Sequence, residues 1–248
     1  MKKESADTQL VIEKLRTQTM KVWVKGVTPI ILNSMSEKVR QELLFPARKK
    51  TRADREQKLK HNPIEEYRNS VYRRNGDGPT RLMFPAIAFK AAMMEAALEI
   101  PGAKKTQIGR LVWVVGQEVS LYGIPKLLMS VVRSADMNRT PDVRTRAIVG
   151  EWCCEVNITF VRPTISDTAV GHLLETAGLV IGIGDFRQQK GKGNYGQFQI
   201  AEEKEIQSII ETGGTEQQDA ALESPECWDA ESESLLSWWN EERARRGM

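Results

Sequence analysis

Residues 166–203 read SDTAVGHLLETAGLVIGIGDFRQQKGKGNYGQFQIAEE. Ser166 or Asp167 caps a helix whose Val170, Leu173, Leu174, Ala177 and Val180 recur on one face. The closing GQFQIAEE (196–203) reads as a strand. Between them, GIGDFRQQKGKGNYGQF (182–198) interleaves Gly182, Gly184, Gly191, Gly193 and Gly196 with Phe186, Arg187, Lys190, Lys192 and Tyr195. Helix, glycine-rich loop and strand make the second half of a split βαβ arrangement.

Working outward from there, AIVGEWCCEVNITFV (147–161) is a long strand with Trp152, Cys154, Val156, Ile158 and Phe160 on one face. Cys153 and Cys154 then point to opposite faces. MKVWVKGVTPIIL (20–32) supplies a first strand that alternates Val22 and Val24 with Lys21 and Lys25. A helix capped at Ser36 runs to Leu44 and stops at Pro46. PAIAFKAAMMEAALEI (85–100) is a second helix, ended by Pro101-Gly102, and Ile87, Ala91, Met94 and Leu98 form its expected core face. RLVWVVGQEVSLYGIP (110–125) and KLLMSVVRSAD (126–136) read as further strands. The order strand, helix, strand, strand, helix, strand predicts an α+β chain with a ferredoxin-like, RRM-like split βαβ core. Two helices on one face leave the other face free to bind.

Residues 1–204 are expected to form the binding domain, with 47–81 a polar and basic insertion. The stretch from 205 to 248 is expected to be an acidic flexible tail ending in a short amphipathic segment. Of the 248 residues, 36 are Lys or Arg and 33 are Asp or Glu. From position 201 onward thirteen are acidic and four basic, so the remainder carries a net +12. A basic body with an acidic end fits a polyanion binder. Three cysteines, two of them adjacent, exclude a disulfide framework, and two histidines without a C-x-x-C speak against zinc. No cofactor or metal is expected. The polar start MKKESADTQLVIEKLR and the lack of a long apolar run predict a cytoplasmic protein with no membrane contact.

The loop lacks both common nucleotide fingerprints. Gly191-Lys192 is followed by Gly193 rather than Ser or Thr, and Gly182-x-Gly184 is followed by Arg187 where a dinucleotide motif needs glycine. Glycine lets another chain approach closely, and cations beside it favour an anion. Gly182, Gly184, Gly191 and Gly193 with Arg187, Lys190 and Lys192 are therefore candidate phosphate contacts, with Phe186 and Tyr195 as stacking surfaces. Lys90 adds a cation from the second helix. Lys49, Lys50, Arg52, Arg55, Lys58 and Lys60 form a candidate mobile arm, or a solvated charged helix. Trp238 and Trp239 are candidate anchors for a protein partner, or pack on their own domain. Asp185 reads as a turn residue pairing with Arg187.

Three of these stretches resemble the RAMP superfamily of CRISPR proteins. FPAIAFKAAMMEAA, with Phe84-Pro85 and Lys90, is similar to a recurrent RAMP helix, and GIGDFRQQKGKGNYGQF resembles the glycine-rich loop after the last helix of that family. The first strand, ending in KGVTPIIL, looks like the family's amino-terminal strand. The resemblance spans about residues 20–202 and is nearest to backbone subunits that polymerise along a guide RNA. It extends to stand-alone members encoded by bacteriophages, which would act in a bacterial host cell. Ala86 and Met93 stand where the family often carries arginine or serine. The acidic tail is similar in composition to the carboxyl tails of single-stranded DNA-binding proteins.

What the resemblance and the residues imply together is a non-catalytic binder of single-stranded DNA or RNA. It would assemble side by side into a homo-oligomer or filament, with a protein partner reached through the tail. A metal-independent ribonuclease is the enzymatic alternative and would need a base such as His61, His172 or Asp185. A phage protein mimicking or blocking a host CRISPR effector subunit is the third.

Overall fold

The computed structural model describes residues 13–35, 44, 61–133, 141–190 and 193–247, with only the backbone of Lys190. In chain order the strands are β1 (Arg16–Gly26), β2 (Ile30–Ile31), β3 (Tyr72–Arg73), β4 (Leu82–Pro85), β5 (Val112–Val114) and β6 (Glu118–Tyr122), then β7 (Pro125–Arg133), β8 (Pro141–Val149), β9 (Cys153–Arg162) and β10 (Phe198–Ala201). The described helices are α1 (Pro63–Ser70), α2 (Ala86–Ala96), α3 (Lys105–Leu111), α4 (Asp167–Thr176), α5 (Glu203–Thr212), α6 (Thr215–Glu223) and α7 (Ala230–Arg245). The chain is α+β. No described helix is long and apolar enough to cross a membrane.

β1 and β9 are the spine. They pair antiparallel along Arg16–Lys25, because their alternating Val22, Val24, Cys154, Val156, Ile158 and Phe160 all bury on one side. β10 pairs antiparallel with the other edge of β1, and β5 and β6 both pair antiparallel with β9. β4 and β3 extend this seven-stranded sheet beyond β6, while β2, β8 and β7 form a separate three-stranded sheet. α2 and α4 pack on the buried face of β1 and β9, where Phe89, Met93, Leu173 and Leu174 join the strand residues in one core. The Ser166 side chain accepts from the Ala169 N–H as the cap expected of α4. Cys153 and Cys154 do face opposite sides, in separate apolar clusters.

The core face of α2 differs from the expectation. Ile87 is 71% and Leu98 62% exposed, whereas Ala86, Phe89, Ala92, Met93 and Ala96 are buried. An alanine-rich helix can approach a neighbour closely, so small residues around Phe89 set its orientation, while Met94 packs beside Gly109 of α3. Residues 110–125 are not one strand. α3 runs to Leu111, and a turn at Gly116 (φ +86) separates β5 from β6.

Two regions read as polar appendages belong to the fold. In the 47–81 insertion, residues 47–60 lie outside the described part, but α1 and β3 are built in. Tyr67 is wholly buried, and its hydroxyl donates to the Pro125 and Ala221 carbonyls at 3.0 and 3.1 Å. Residues 205–247 are helices rather than a flexible tail, and α5 begins at Glu203, before the expected boundary. Ile206 and Ile209 of α5 pack on Cys153, Ala201 and Trp23, so part of the sheet's second face is covered. Gln218 is fully buried and fully satisfied. Its Oε1 accepts from the Arg81 and Leu82 N–H groups at 2.7 and 2.8 Å, and its Nε2 donates to the carbonyls of Leu121, Gly123 and Gly213. Ser232 staples α7 to β7 by accepting from the Met129 N–H at 2.9 Å. Hydrogen-bonded polar side chains thus hold the acidic end in place.

Candidate nucleic-acid interface

α4 continues into a π-helical turn, Ala177–Ile181, that ends at Gly182 (φ +69), whose N–H donates to the Ala177 carbonyl. From there the loop is pinned. Ile183 donates to Gly196, Asp185 to Ile31 and Gly196 to Pro29, all through backbone groups at 2.8–2.9 Å. Arg187 and Tyr195 form an isolated parallel bridge. A Cβ on Gly196 would stand 1.7 Å from the Ile183 carbonyl oxygen. One on Gly193 would stand 1.4 Å from that of Phe186. These two glycines let the loop fold against itself. Their open sides face the chain's own backbone.

The same geometry presents Phe186. It is the only described non-glycine residue with positive φ (+52), and it is 46% exposed. A bulky residue in the left-handed region costs on the order of 1–2 kcal/mol, and the pinned backbone on both sides holds it there. Tyr195 lies beside it, with ring centroids 6.2 Å apart and planes at 44°, and packs beneath on Ile31, Leu128 and Ile148. Arg187 is steered by its own loop. Nη1 donates to the Gly184 carbonyl at 3.1 Å, and Nε and Nη2 to Gln189 Oε1 at 3.2 and 3.1 Å. Asp185 does not neutralise it. That carboxylate contacts Arg146 Nη1 and accepts from Asn33 Nδ2 at 3.4 Å. Among the described residues Arg187 has no carboxylate partner, so its charge is held in position and uncompensated.

Between the loop and α2 lies a cleft of about 270 Å³. Ala88, Ala91 and Ala92 form one wall, and Gly182, Gly184 and Arg187 the other. Glu95 also reaches the cleft but is paired with Lys105 of α3. Of the candidate residues, Phe186, Arg187 and Tyr195 are brought together, and Gly182 and Gly184 line the adjoining cleft. Lys90 sits half-buried on α2 and is not among the cleft residues. The backbone of Lys190 closes a short 3₁₀ turn, Gln188–Lys190. Gly191, Lys192, Lys49, Lys50, Arg52, Arg55, Lys58 and Lys60 lie outside the described residues, as does the Lys190 side chain.

Sequence reasoning missed Arg144 and Arg146. They share a face of β8 with Ile148, and Arg146 anchors the loop through Asp185. Burial pulls the Arg146 pKa below the usual guanidinium range, with the nearby Arg144 adding to it. The period-two spacing in DVRTRAIV was the available signal. Trp239 is docked. Its Nε1 donates to the His61 carbonyl at 3.0 Å, and Arg243 lies 5.5 Å over its ring. Trp238 is 65% exposed and remains a candidate anchor.

Of the groups considered for catalysis, Asp185 lies in the loop, where it contacts Arg146. His61 sits between Glu66 (2.9 Å) and Asp142 (3.2 Å), His172 is exposed on α4, and no histidine lines the cleft. Among the described residues no three His, Cys, Asp or Glu side chains are grouped to hold a metal.

No family model matches the chain, and no curated protein does. Among solved structures it is similar to a chain of the type III-B Cmr-beta complex bound to cognate target RNA, at 11% identity and a TM-score of 0.39. That likeness covers 75% of this chain and 59% of the other, so this chain spans about three fifths of its length.

Proposed function

We propose that the protein is a non-catalytic binder of single-stranded nucleic acid whose contact surface is the glycine-rich loop and the β8 face beneath it. One observation carries the reading. Phe186 is held exposed in a left-handed backbone conformation, next to an Arg187 that has no carboxylate partner among the described residues. An aromatic face offers base stacking worth about 1–3 kcal/mol per base without sequence preference, and a fixed guanidinium meets phosphate oxygens directly. Arg144, half exposed on the adjoining strand, lies 3.5 Å from the Asp142 carboxylate, so Arg187 carries the positive charge of this surface.

The finer fold reading belongs to the same proposal. The antiparallel order β10-β1-β9-β5/β6, with α2 and α4 on one face, supports reading the core as a split βαβ arrangement in which two β-α-β units interleave. It agrees with the RAMP-like motifs, which imply side-by-side assembly along a strand. Trp238 is the surface we assign to a protein partner. The test is a titration of fluorescently labelled single-stranded oligonucleotides, one DNA and one RNA, followed by anisotropy. Saturable binding that weakens with salt supports the reading, and the DNA–RNA difference assigns the ligand.

A further inference from the structure

The side chain that orients Arg187 is neutral. Gln189 Oε1 accepts from both Nε and Nη2 at 3.2 and 3.1 Å, and the Gly184 carbonyl takes one N–H of Nη1 at 3.1 Å. A guanidinium carries five N–H groups. These contacts use three of them, and among the described residues one N–H on each terminal nitrogen is left for a ligand. Gln189 is itself placed by the fold. It sits in the 3₁₀ turn Gln188–Lys190, whose Gln188 accepts through Oε1 from Gln197 Nε2. The same Nε2 donates to the Leu179 carbonyl at 2.9 Å. The Gln197 backbone N–H donates to Thr28 Oγ1 at 3.0 Å, and its carbonyl accepts from the Val27 N–H at 2.8 Å. The support for Arg187 thus runs back to the turn between β1 and β2 through uncharged groups.

A glutamate at 189 has the same reach and would hold the guanidinium more strongly, but it would also cancel its charge. Between Gly182 and Ile200 the sole acidic residue is Asp185, and its carboxylate goes to Arg146. Glu95, the acid in the adjoining cleft, goes to Lys105. Both carboxylates are drawn to other cations, and the group that does touch Arg187 is an amide.

We propose that Gln189 is the positioning residue of this site. It fixes the plane of Arg187 and preserves its charge, so that the two remaining N–H groups meet two oxygens of one phosphate of the bound strand. The proposal rests on the reading of the loop as a single-strand binder, and it assigns Arg187 to the backbone phosphate rather than to a base. Ordering the guanidinium before the strand arrives removes part of the entropy otherwise lost on binding.

Anisotropy of one labelled single-stranded oligonucleotide, titrated across a salt series with the full chain and its variants, tests this. Gln189→Ala loosens Arg187 but leaves it charged, so affinity should fall about two- to tenfold with the salt slope unchanged. Gln189→Glu keeps the guanidinium in place but neutralises it. Affinity should fall there too, and the slope should become shallower by about 0.7, as for Arg187→Ala. In an Arg187→Ala background Gln189→Ala should have no further effect, a coupling that general loosening of the loop would not produce. The melting temperatures should stay within a few degrees of wild type, since Gln189 is exposed. If Arg187→Ala weakens binding while both Gln189 variants bind as wild type does, the positioning role is overturned and the loop reading stands. Equal weakening by Gln189→Ala with and without Arg187 overturns it as well. No wild-type binding at low salt, or binding indifferent to Arg187→Ala, overturns both.

Discussion

A Cβ placed on Gly193 would lie 1.4 Å from the carbonyl oxygen of Phe186. The two residues are seven positions apart, and their contact forces the loop to double back with Phe186 at φ +52. The glycine at 193 and the strained aromatic at 186 are therefore one device. Gly193→Ala should weaken both folding, by about 1–3 kcal/mol as for other overpacked sites, and oligonucleotide binding. Gly171→Ala is the matched control. Gly171 lies in α4 with nothing within 4 Å of its Cβ position, and alanine there should stabilise by about 0.5–1 kcal/mol. Thermal melts of the two variants check the contrast.

Phe186→Gly separates strain from function. Glycine adopts positive φ freely, so the relieved strain offsets its greater unfolded-state entropy and the melting temperature should stay within a few degrees. Binding should fall by about 1–3 kcal/mol as the stacking face is lost. A variant that melts as before and binds as before would make the ring a packing residue.

Arg187 and Arg146 should part company on mutation. Arg187→Ala should leave stability almost unchanged, since its partners are loop acceptors, and should lower the magnitude of the log–log salt slope by about 0.7 for one phosphate contact on a single strand. Arg146→Ala should destabilise the protein by about 1–3 kcal/mol. It strips the half-buried Asp185 of its cation and frees the loop from β8. Denaturant melts and salt titrations on both variants give the comparison.

Gln218→Leu should be among the costliest single changes in the chain. It leaves the Arg81 and Leu82 N–H groups and the carbonyls of Leu121, Gly123 and Gly213 without that partner inside the protein. At about 1–3 kcal/mol for each unmet buried group, the variant should unfold at mild denaturant concentrations or fail to accumulate. Removal of residues 205–248 should do the same. An intact fold after truncation would instead make residues 205–248 the flexible tail expected from their composition.

Cysteine reactivity reports on the same core. Burial pushes the Cys153 thiol up to about 12, Cys154 is raised well above the ordinary range by burial, and Cys227 is raised less and half exposed. In native protein at neutral pH only Cys227 should react with a thiol reagent within minutes, with all three reacting in denaturant. Fast native labelling of Cys153 would mean that α5 does not cover the second face of the sheet.

The β9 alternation from Trp152 to Phe160 and the Ser166 cap were legible because period and capping chemistry act locally. The inward face of α2 was not. Ile87 and Leu98 outrank alanine on any hydrophobicity scale, yet close approach of Ala92 and Ala96 around Phe89 decided the orientation. The carboxyl-terminal helices were hidden for a related reason. Gln218 and Ser232 look like surface residues, and only the tertiary fold supplies the backbone groups that satisfy them. In the site, the clustering of Phe186, Arg187 and Tyr195 followed from proximity in sequence. Arg146 came from a strand some 40 residues away, and the backbone that packs against Gly193 and Gly196 could not be seen in a list of residues.

The central claim is that this loop binds single strands through Phe186 and Arg187. The most direct measurement is anisotropy of a labelled single-stranded oligonucleotide titrated with the wild-type chain and with the Phe186→Gly, Arg187→Ala double variant, across a series of salt concentrations. The account predicts wild-type binding with a linear fall of log affinity against log salt, at about −0.7 per phosphate neutralised. It predicts that the double variant, folded by circular dichroism, loses at least tenfold in affinity and shows a shallower slope. No wild-type binding at low salt, or equal binding by both proteins, would contradict it.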